Sequence, residues 1–313
     1  MKSQIAEFLI CPRCLPTETG LTLDAHESVG VEVVSGTLRC SQCRTDYSIA
    51  GGIAMLVPQP PNLAPTTAIQ YEAPEMVSSY LWSHYADLWG DEEATGAYSE
   101  WAALLTPEGG MGLDAGCAVG RFTFELSRKC DLVVGLDSSH PFIAAAREPL
   151  YKDRLEFSLK QEGHLFERCT IHLPGTWDAG KIEFIMADAQ AIPFRSHLFS
   201  RAASLNLLDK LPKPFRHLTE MNRTTRKRDA QLLISDPFSW SAEWAKEEDW
   251  LGGISSGRFA GRGWDNLQDL LEGKIDDFSP SWTVEKQGSI WWKIRNHRNH
   301  FELIRSCFSK ASR

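Results

Sequence analysis

No uninterrupted apolar run in this 313-residue sequence is long enough to cross a bilayer, and the opening MKSQIAEFLI holds too short an apolar stretch for a secretory signal. The expected address is therefore the cytoplasm, with no membrane partner. Basic charge is also scarce: 33 Lys+Arg against 41 Asp+Glu give a net charge of −8, so the chain lacks the overall footprint of a nucleic-acid-binding protein, although local basic patches stay open. Internal repeats and long low-complexity tracts are missing too. With 42% hydrophobic and 24% charged residues the chain can bury a core, which excludes wholesale disorder, and its length fits one large domain plus a small one.

Eight cysteines are present, and in a reducing compartment they point to metal ligands or reactive thiols rather than disulfides. Cys11-Pro12-Arg13-Cys14 and Cys40-Ser41-Gln42-Cys43 make two C-x2-C knuckles separated by 25 residues. Each knuckle aims two sulfurs at one ion, and four thiolates with no open position are the ligand set of a structural zinc site, not of one that activates water. Alternating segments at Leu21 to Leu23 and Val31 to Val34 are the expected strands of a zinc ribbon. Four unrelated buried thiols, or a redox pair, are the competing readings. The run from Phe8 to Val57, with Tyr47-Ser48-Ile49, Gly51-Gly52-Ile53 and Leu56, resembles the small zinc-ribbon activator subunit of tRNA, ribosomal RNA and release-factor methyltransferases. That resemblance implies a module that stabilises a catalytic partner by packing or sheet extension, here carried in cis. Four prolines between Pro58 and Pro65 make a stiff connector. The expected division is a ribbon over 1–58, a linker over 59–70 and a larger domain over 71–313.

Within the larger domain a helical stretch is expected from Tyr80 to Leu105. Met111 to Ala115 then reads as a short buried strand running into the glycine turn Gly116-Cys117-Ala118-Val119-Gly120, followed by a helix from Arg121 to Lys129. A second strand, Asp131 to Asp137, ends in an acid 23 residues after Asp114. This order suits a nucleoside-binding β-α-β unit, in which glycine lets the backbone approach the ligand and the terminal carboxylate accepts ribose hydroxyls. Position 118 is alanine, which departs from the G-x-G-x-x-G dinucleotide fingerprint and counts against NAD or FAD.

The segment resembles instead the first motif of class I methyltransferases that use S-adenosylmethionine. The resemblance implies a Rossmann-like α/β fold with a seven-stranded, mostly parallel sheet. It also implies a cofactor site: Asp114, Gly116, Cys117 and Gly120 around the methionine part, Asp137 and Ser138 at the ribose, and Asp188 and Ala189 at the adenine. Further strands are expected at Ile182 to Ala189, Arg201 to Leu208 and Gln231 to Asp236. Asn206 ends the second of these, where the family brings methyl group and acceptor together, and with Asp209 it is the candidate catalytic pair. Asp209 is equally suited to capping the next turn.

Glu162-Gly163-His164-Leu165, Asn206 to Leu211 with Pro214, Asp236-Pro237-Phe238-Ser239-Trp240 and Glu248 to Gly253 follow in an order similar to the methyltransferase domain that methylates the imidazole ring of 5-thiohistidine at the end of ovothiol synthesis. The iron domains of the full ovothiol enzyme are absent from this sequence. The resemblance implies methyl transfer to a nitrogen or sulfur of a small metabolite, a histidine-derived thiol first among them. An Asn-Pro-Pro-Tyr type of motif, which holds planar amines, is missing after the fourth strand. RNA or protein methylation is the competing reading, favoured by the ribbon and by basic runs at Lys213 to Arg228 and Lys293 to His300; a catalytically silent cofactor-binding scaffold is the third. Candidate acceptor contacts are Tyr85, in an aromatic helix that also reads as core, Trp240 among the tryptophans after the fifth strand, and Arg295 as a carboxylate clamp.

Overall fold

The computed structural model describes residues 1–57 and 73–313; the linker expected over 59–70 lies outside the described residues. Strands β1 (Leu21–Val29), β2 (Glu32–Cys40), β3 (Asp46–Ala50) and β4 (Ile53–Leu56) come first, then helices α1 (Pro74–Tyr85) and α2 (Ala97–Ala103). The β-α-β unit comprises β5 (Met111–Ala115), α3 (Arg121–Leu126) and β6 (Leu132–Asp137), followed by α4 (His140–Arg147). After the hairpin of β7 (Arg154–Glu162) and β8 (Leu165–His172) come β9 (Ile182–Ala187), β10 (Phe199–Leu205), α5 (Pro214–Thr224) and β11 (Gln231–Asp236). Helix α6 (Gly263–Leu271) and the long hairpin of β12 (Thr283–His297) and β13 (His300–Ser312) complete the chain. No helix among the described residues is long and apolar enough to cross a membrane.

One sheet runs in the order β1-β2-β3-β4-β9-β6-β5-β10-β11-β13-β12. From β9 to β11 the strands are parallel, and β13 and β12 close the edge antiparallel. These seven are the expected mostly parallel sheet. Strand β5 is buried at all five positions, as a central parallel strand covered by helices on both faces must be. From β5 the chain moves to β6 and β9 on one side and to β10 and β11 on the other, so the carboxyl ends of β5 and β10 flank a switch point where a crevice opens.

The sheet does not stop at seven strands. Met55 and Leu56 of β4 pair in parallel with Met186 and Ala187 of β9, so the amino-terminal sheet continues the main one. The outer edge of β9 would otherwise present unpaired backbone groups, and the apolar Ile-Ala-Met-Leu of β4 covers it. Leu9, Leu38, Tyr47 and Leu56 accordingly join the same apolar core as Leu113, Val134, Ile185 and Ile234.

The helical stretch expected from Tyr80 to Leu105 is two helices, interrupted where Gly90 takes a left-handed φ of 75°. Both hairpins beyond the motifs carry a readable period of two. Leu155, Phe157 and Leu159 alternate with exposed neighbours in β7, and Ile290, Trp292 and Ile294 are the buried members of β12.

Candidate functional site

A cleft of about 540 Å³ opens at the carboxyl ends of β5, β6, β9 and β10. Of the residues expected at the cofactor, Asp114, Gly116, Cys117, Asp137, Ser138, Asp188, Ala189 and Asn206 line it. The turn after β5 is fixed by backbone: the N–H groups of Gly116 and Cys117 both donate to the Leu136 carbonyl, at 2.8 and 2.9 Å. Gly116 has φ +78°, and a Cβ there would stand 2.7 Å from the Leu207 side chain. Gly120 is not on the cleft wall. Its φ of +87° starts α3, and a Cβ would meet Phe184 at 2.7 Å, so its part is the turn and the packing of α3 on β9.

Asp137 is tied to this turn. One carboxylate oxygen accepts from the Ala118 N–H at 3.0 Å and the other from the Ser139 N–H at 2.9 Å, which orients the group at the tip of β6. Asp188 Oδ1 is held likewise by the Gln190 N–H at 2.8 Å and the Gln190 amide at 3.1 Å. Asp114 lies deeper and accepts the Thr123 hydroxyl at 2.7 Å. Burial, with a smaller push from the Asp137 charge, raises its carboxyl to about 7 despite that hydrogen bond.

At the end of β10, Asn206 adopts φ +53°; its N–H donates to the Ser235 carbonyl at 2.7 Å and its side-chain carbonyl accepts the Ser306 hydroxyl. Asp209 departs from the expected placement. It is buried behind the wall, accepts the Ser239 N–H at 2.8 Å, and pairs at 3.2 Å with the ammonium of Lys210, which does line the cleft. Its own N–H donates to buried Asp236 at 3.3 Å. Desolvation pushes both carboxyls up, and repulsion from Asp209 adds to the effect at Asp236. Beneath the cleft, buried His217 donates from Nδ1 to the Ala189 carbonyl at 2.9 Å and accepts from the Ser204 hydroxyl at 2.8 Å, linking the ends of β9 and β10. Burial lowers its pKa to about 4, so it is a neutral brace. A lone histidine within α5 gives no such signal in the sequence.

The three expected acceptor contacts all lie off the cleft. Tyr85 is fully buried and donates its hydroxyl to the Val119 carbonyl at 2.8 Å; on the same helix Tyr80 and His84, four residues apart and so on one face, line the cleft instead. Trp240 stacks on Trp250 at 6.5 Å, leaving the cleft to Trp244. Arg295 lines a separate groove with Trp89, Arg168, Arg298 and Phe301, because a strand alternates its faces and Trp292 takes the inward one.

At the other end of the molecule the sulfurs of Cys11, Cys14, Cys40 and Cys43 lie within 4.8 Å of one another, with Cys11–Cys43 at 3.5 Å and Cys14–Cys40 at 3.7 Å. A tetrahedral zinc with Zn–S bonds of about 2.3 Å separates its sulfurs by about 3.8 Å. The donor set and spacing therefore fit structural zinc. The two centres are connected through β4: Val57, the residue after it, lines the cleft beside Met186 and Asp188.

Residues 113–230 match the family model described as a methyltransferase domain. No curated protein matches the chain. Among solved structures, a SAM-dependent methyltransferase from Aquifex aeolicus is 14% identical with a TM-score of 0.41, over 80% of this chain and 98% of that one. A chain of the complex between the Haloferax volcanii Trm112 methyltransferase activator and a methyltransferase is 14% identical with a TM-score of 0.47, over 80% of this chain and all of that one. Phosphoethanolamine N-methyltransferase 2 of Haemonchus contortus is 15% identical with a TM-score of 0.40, over 56% of this chain and 36% of that one. Strand order, glycine turn and domain match agree: the chain is a methyltransferase of the class I fold, with S-adenosylmethionine as methyl donor and a four-cysteine site suited to structural zinc.

Proposed function

We propose that this enzyme methylates a nitrogen or sulfur of a small metabolite, with histidine-derived thiols the first candidates, and that residues 1–58 serve its catalytic domain, 71–313, as a built-in ribbon. The observation that carries this reading is the shape of the cleft beyond the cofactor residues. Its lining beyond those residues includes Tyr80, His84, Tyr98 and Trp292, contributed by α1, α2 and β12, aromatic walls suited to a small flat acceptor. A polymer chain needs a channel that lets its backbone pass.

In this reading Asp114, Gly116 and Cys117 hold the methionine end, Asp137 and Ser138 the ribose, and Asp188 and Ala189 the adenine. Gly120 acts through the turn alone. Asn206 stands at the transferred methyl, and Asp209 acts from behind by holding Lys210 on the cleft wall. The bound sulfonium supplies an already activated methyl group, so the residues need only orient the nucleophile in line with it and exclude water. A neutral ring nitrogen or a thiolate requires no strong base, which fits a cleft in which the buried imidazole of His84 is held neutral.

The test is transfer of labelled methyl from S-adenosylmethionine into cell extract separated by size, with 5-thiohistidine alongside. Label in the metabolite fraction supports the proposal. Label confined to RNA or protein replaces it with the macromolecular reading and turns attention to the groove around Arg168, Arg295 and Arg298.

A further inference from the structure

The inner chamber contains two polar atoms that the cofactor motif leaves unexplained. His84 Nδ1 and Trp292 Nε1 are buried and have no hydrogen-bond partner, although both side chains line the cleft. An unsatisfied buried group costs about 1–3 kcal/mol, and two in one cavity call for a ligand. The rings around them are close-set: Tyr98 on His84 at 4.1 Å, Tyr80 to His84 at 5.8 Å, and Tyr80 to Trp292 at 5.9 Å, edge-on.

Hydrogen bonding fixes what the chamber offers. The Tyr98 hydroxyl lies 2.5 Å from His84 Nε2. The indole N–H of Trp292 acts on the Tyr98 oxygen without meeting hydrogen-bond geometry, and being a donor it cannot take the hydroxyl proton. The phenol therefore donates to Nε2. Burial and the charge of Arg121 keep the imidazole neutral, so its single proton sits on Nδ1. The chamber thus presents two donors, His84 Nδ1–H and Trp292 Nε1–H, between aromatic walls.

We infer that His84 and Trp292 are specificity-determining residues that hold the methyl acceptor by an electron-rich edge bearing lone pairs, with Tyr98 setting the tautomer of His84. The inference rests on the methyl-transfer reading above. Its placement comes from strand order: Asp137 and Asp188 stand on β6 and β9, to one side of β5, whereas Trp292 on β12 belongs to the β10 side, beyond the end of the cofactor motif. An acceptor whose corresponding edge carries N–H groups would oppose donor to donor and be rejected, since a buried unpaired group is costly.

Two measurements decide it. The indole N–H resonance of Trp292, assigned by its loss in Trp292→Phe, is followed in the ¹⁵N-tryptophan-labelled full chain on adding S-adenosylhomocysteine and then 5-thiohistidine. The expected result is a downfield shift on the second addition and not the first. A shift on the first assigns the donors to the cofactor and overturns the inference, as does no shift on either. In parallel, Trp292→Phe and His84→Phe are compared with His84→Gln, which retains an N–H donor. We expect the phenylalanine variants to bind S-adenosylhomocysteine within twofold of the parent while KM for the acceptor rises at least tenfold, with partial rescue in His84→Gln. Loss of cofactor affinity, or an unchanged KM, overturns it. A parent enzyme that binds cofactor and shows the indole shift yet transfers no methyl group refutes the functional reading while leaving the donor site standing.

Discussion

The amino-terminal sheet and the parallel sheet it joins are held together by different means. Strand β5 is buried at every position, but β1, of nearly twice the length, buries only Leu21. The parallel strands are stabilised by apolar area removed from water on both faces. The outermost strand has little such area; β2 and β3 bury Val33, Leu38, Tyr47 and Ile49, and the amino-terminal sheet has the two cysteine knuckles and the Met55–Leu56 pairing as further fixed points. Ion pairs reinforce the seam, with Arg147 of α4 bridging Glu183 of β9 and Glu32 of β2. The comparison teaches that one apolar core runs through β4 into both sheets, and that the cysteine cluster is the additional tie available to the amino-terminal one.

The sharpest way to break the comparison is to remove the metal. Structural zinc contributes about 10–16 kcal/mol of folding free energy in small modules. Cys11→Ser with Cys40→Ser is therefore expected to lose zinc and precipitate or unfold, measured by metal content and thermal denaturation. Soluble variants with unchanged cofactor binding would show the ribbon to be dispensable. Next in size is a change that strikes the parallel sheet alone. Gly120→Ala combines a left-handed backbone with a close contact on Phe184 and is expected to cost about 2–4 kcal/mol, a Tm lower by about 5–15 °C with zinc content intact. A Tm within a degree of the parent would remove that account of the turn.

Asp137→Ala leaves both regions folded and takes away a carboxylate aimed at the cleft. S-adenosylhomocysteine affinity should fall by about 1.5–3 kcal/mol, read by calorimetry, and a change under twofold would dismiss the ribose assignment. A smaller effect comes from pH. Because Asp114 is raised to about 7 in the folded protein from its ordinary value of 3.8, the native state keeps a proton that the unfolded chain releases, so its contribution to stability falls as pH rises between those values. A cofactor ammonium favours the ionised carboxylate. Affinity for S-adenosylmethionine should rise with pH up to about 7 and then level, with proton release on binding below that point. Binding that weakens over the same range would reverse the proposed contact. The smallest expected effect tests the seam itself: Val57→Ala should weaken cofactor binding by about threefold, within the roughly 1.6 kcal/mol available from two fully buried methyl groups, without loss of zinc.

The parts that follow from local rules were legible. Two C-x2-C knuckles, a buried strand entering a glycine turn, and acids at strand ends each depend on residues close in sequence, and the structure places Asp114, Asp137 and Asp188 on one cleft wall. The expected acceptor contacts lie one residue or one face away from the cleft. Tyr85, Trp240 and Arg295 have the right chemistry, but helix rotation, stacking on Trp250 and strand alternation turned them away and brought Tyr80, His84, Trp244 and Trp292 inward. Asp209 was offset likewise, drawn back toward Ser239 and Asp236.

Sequence alone thus determined the four-cysteine set suited to zinc, the positions of the parallel strands along the chain and the glycine turn, because each is encoded by residue type at short spacing. Only the tertiary structure decided that the ribbon extends the parallel sheet, that Val57 reaches the cleft, and which aromatic faces line that cleft. Those outcomes depend on an edge-to-edge pairing across about 130 residues and on the rotation of α1, α2 and β12 against one another, and neither quantity is written in local pattern.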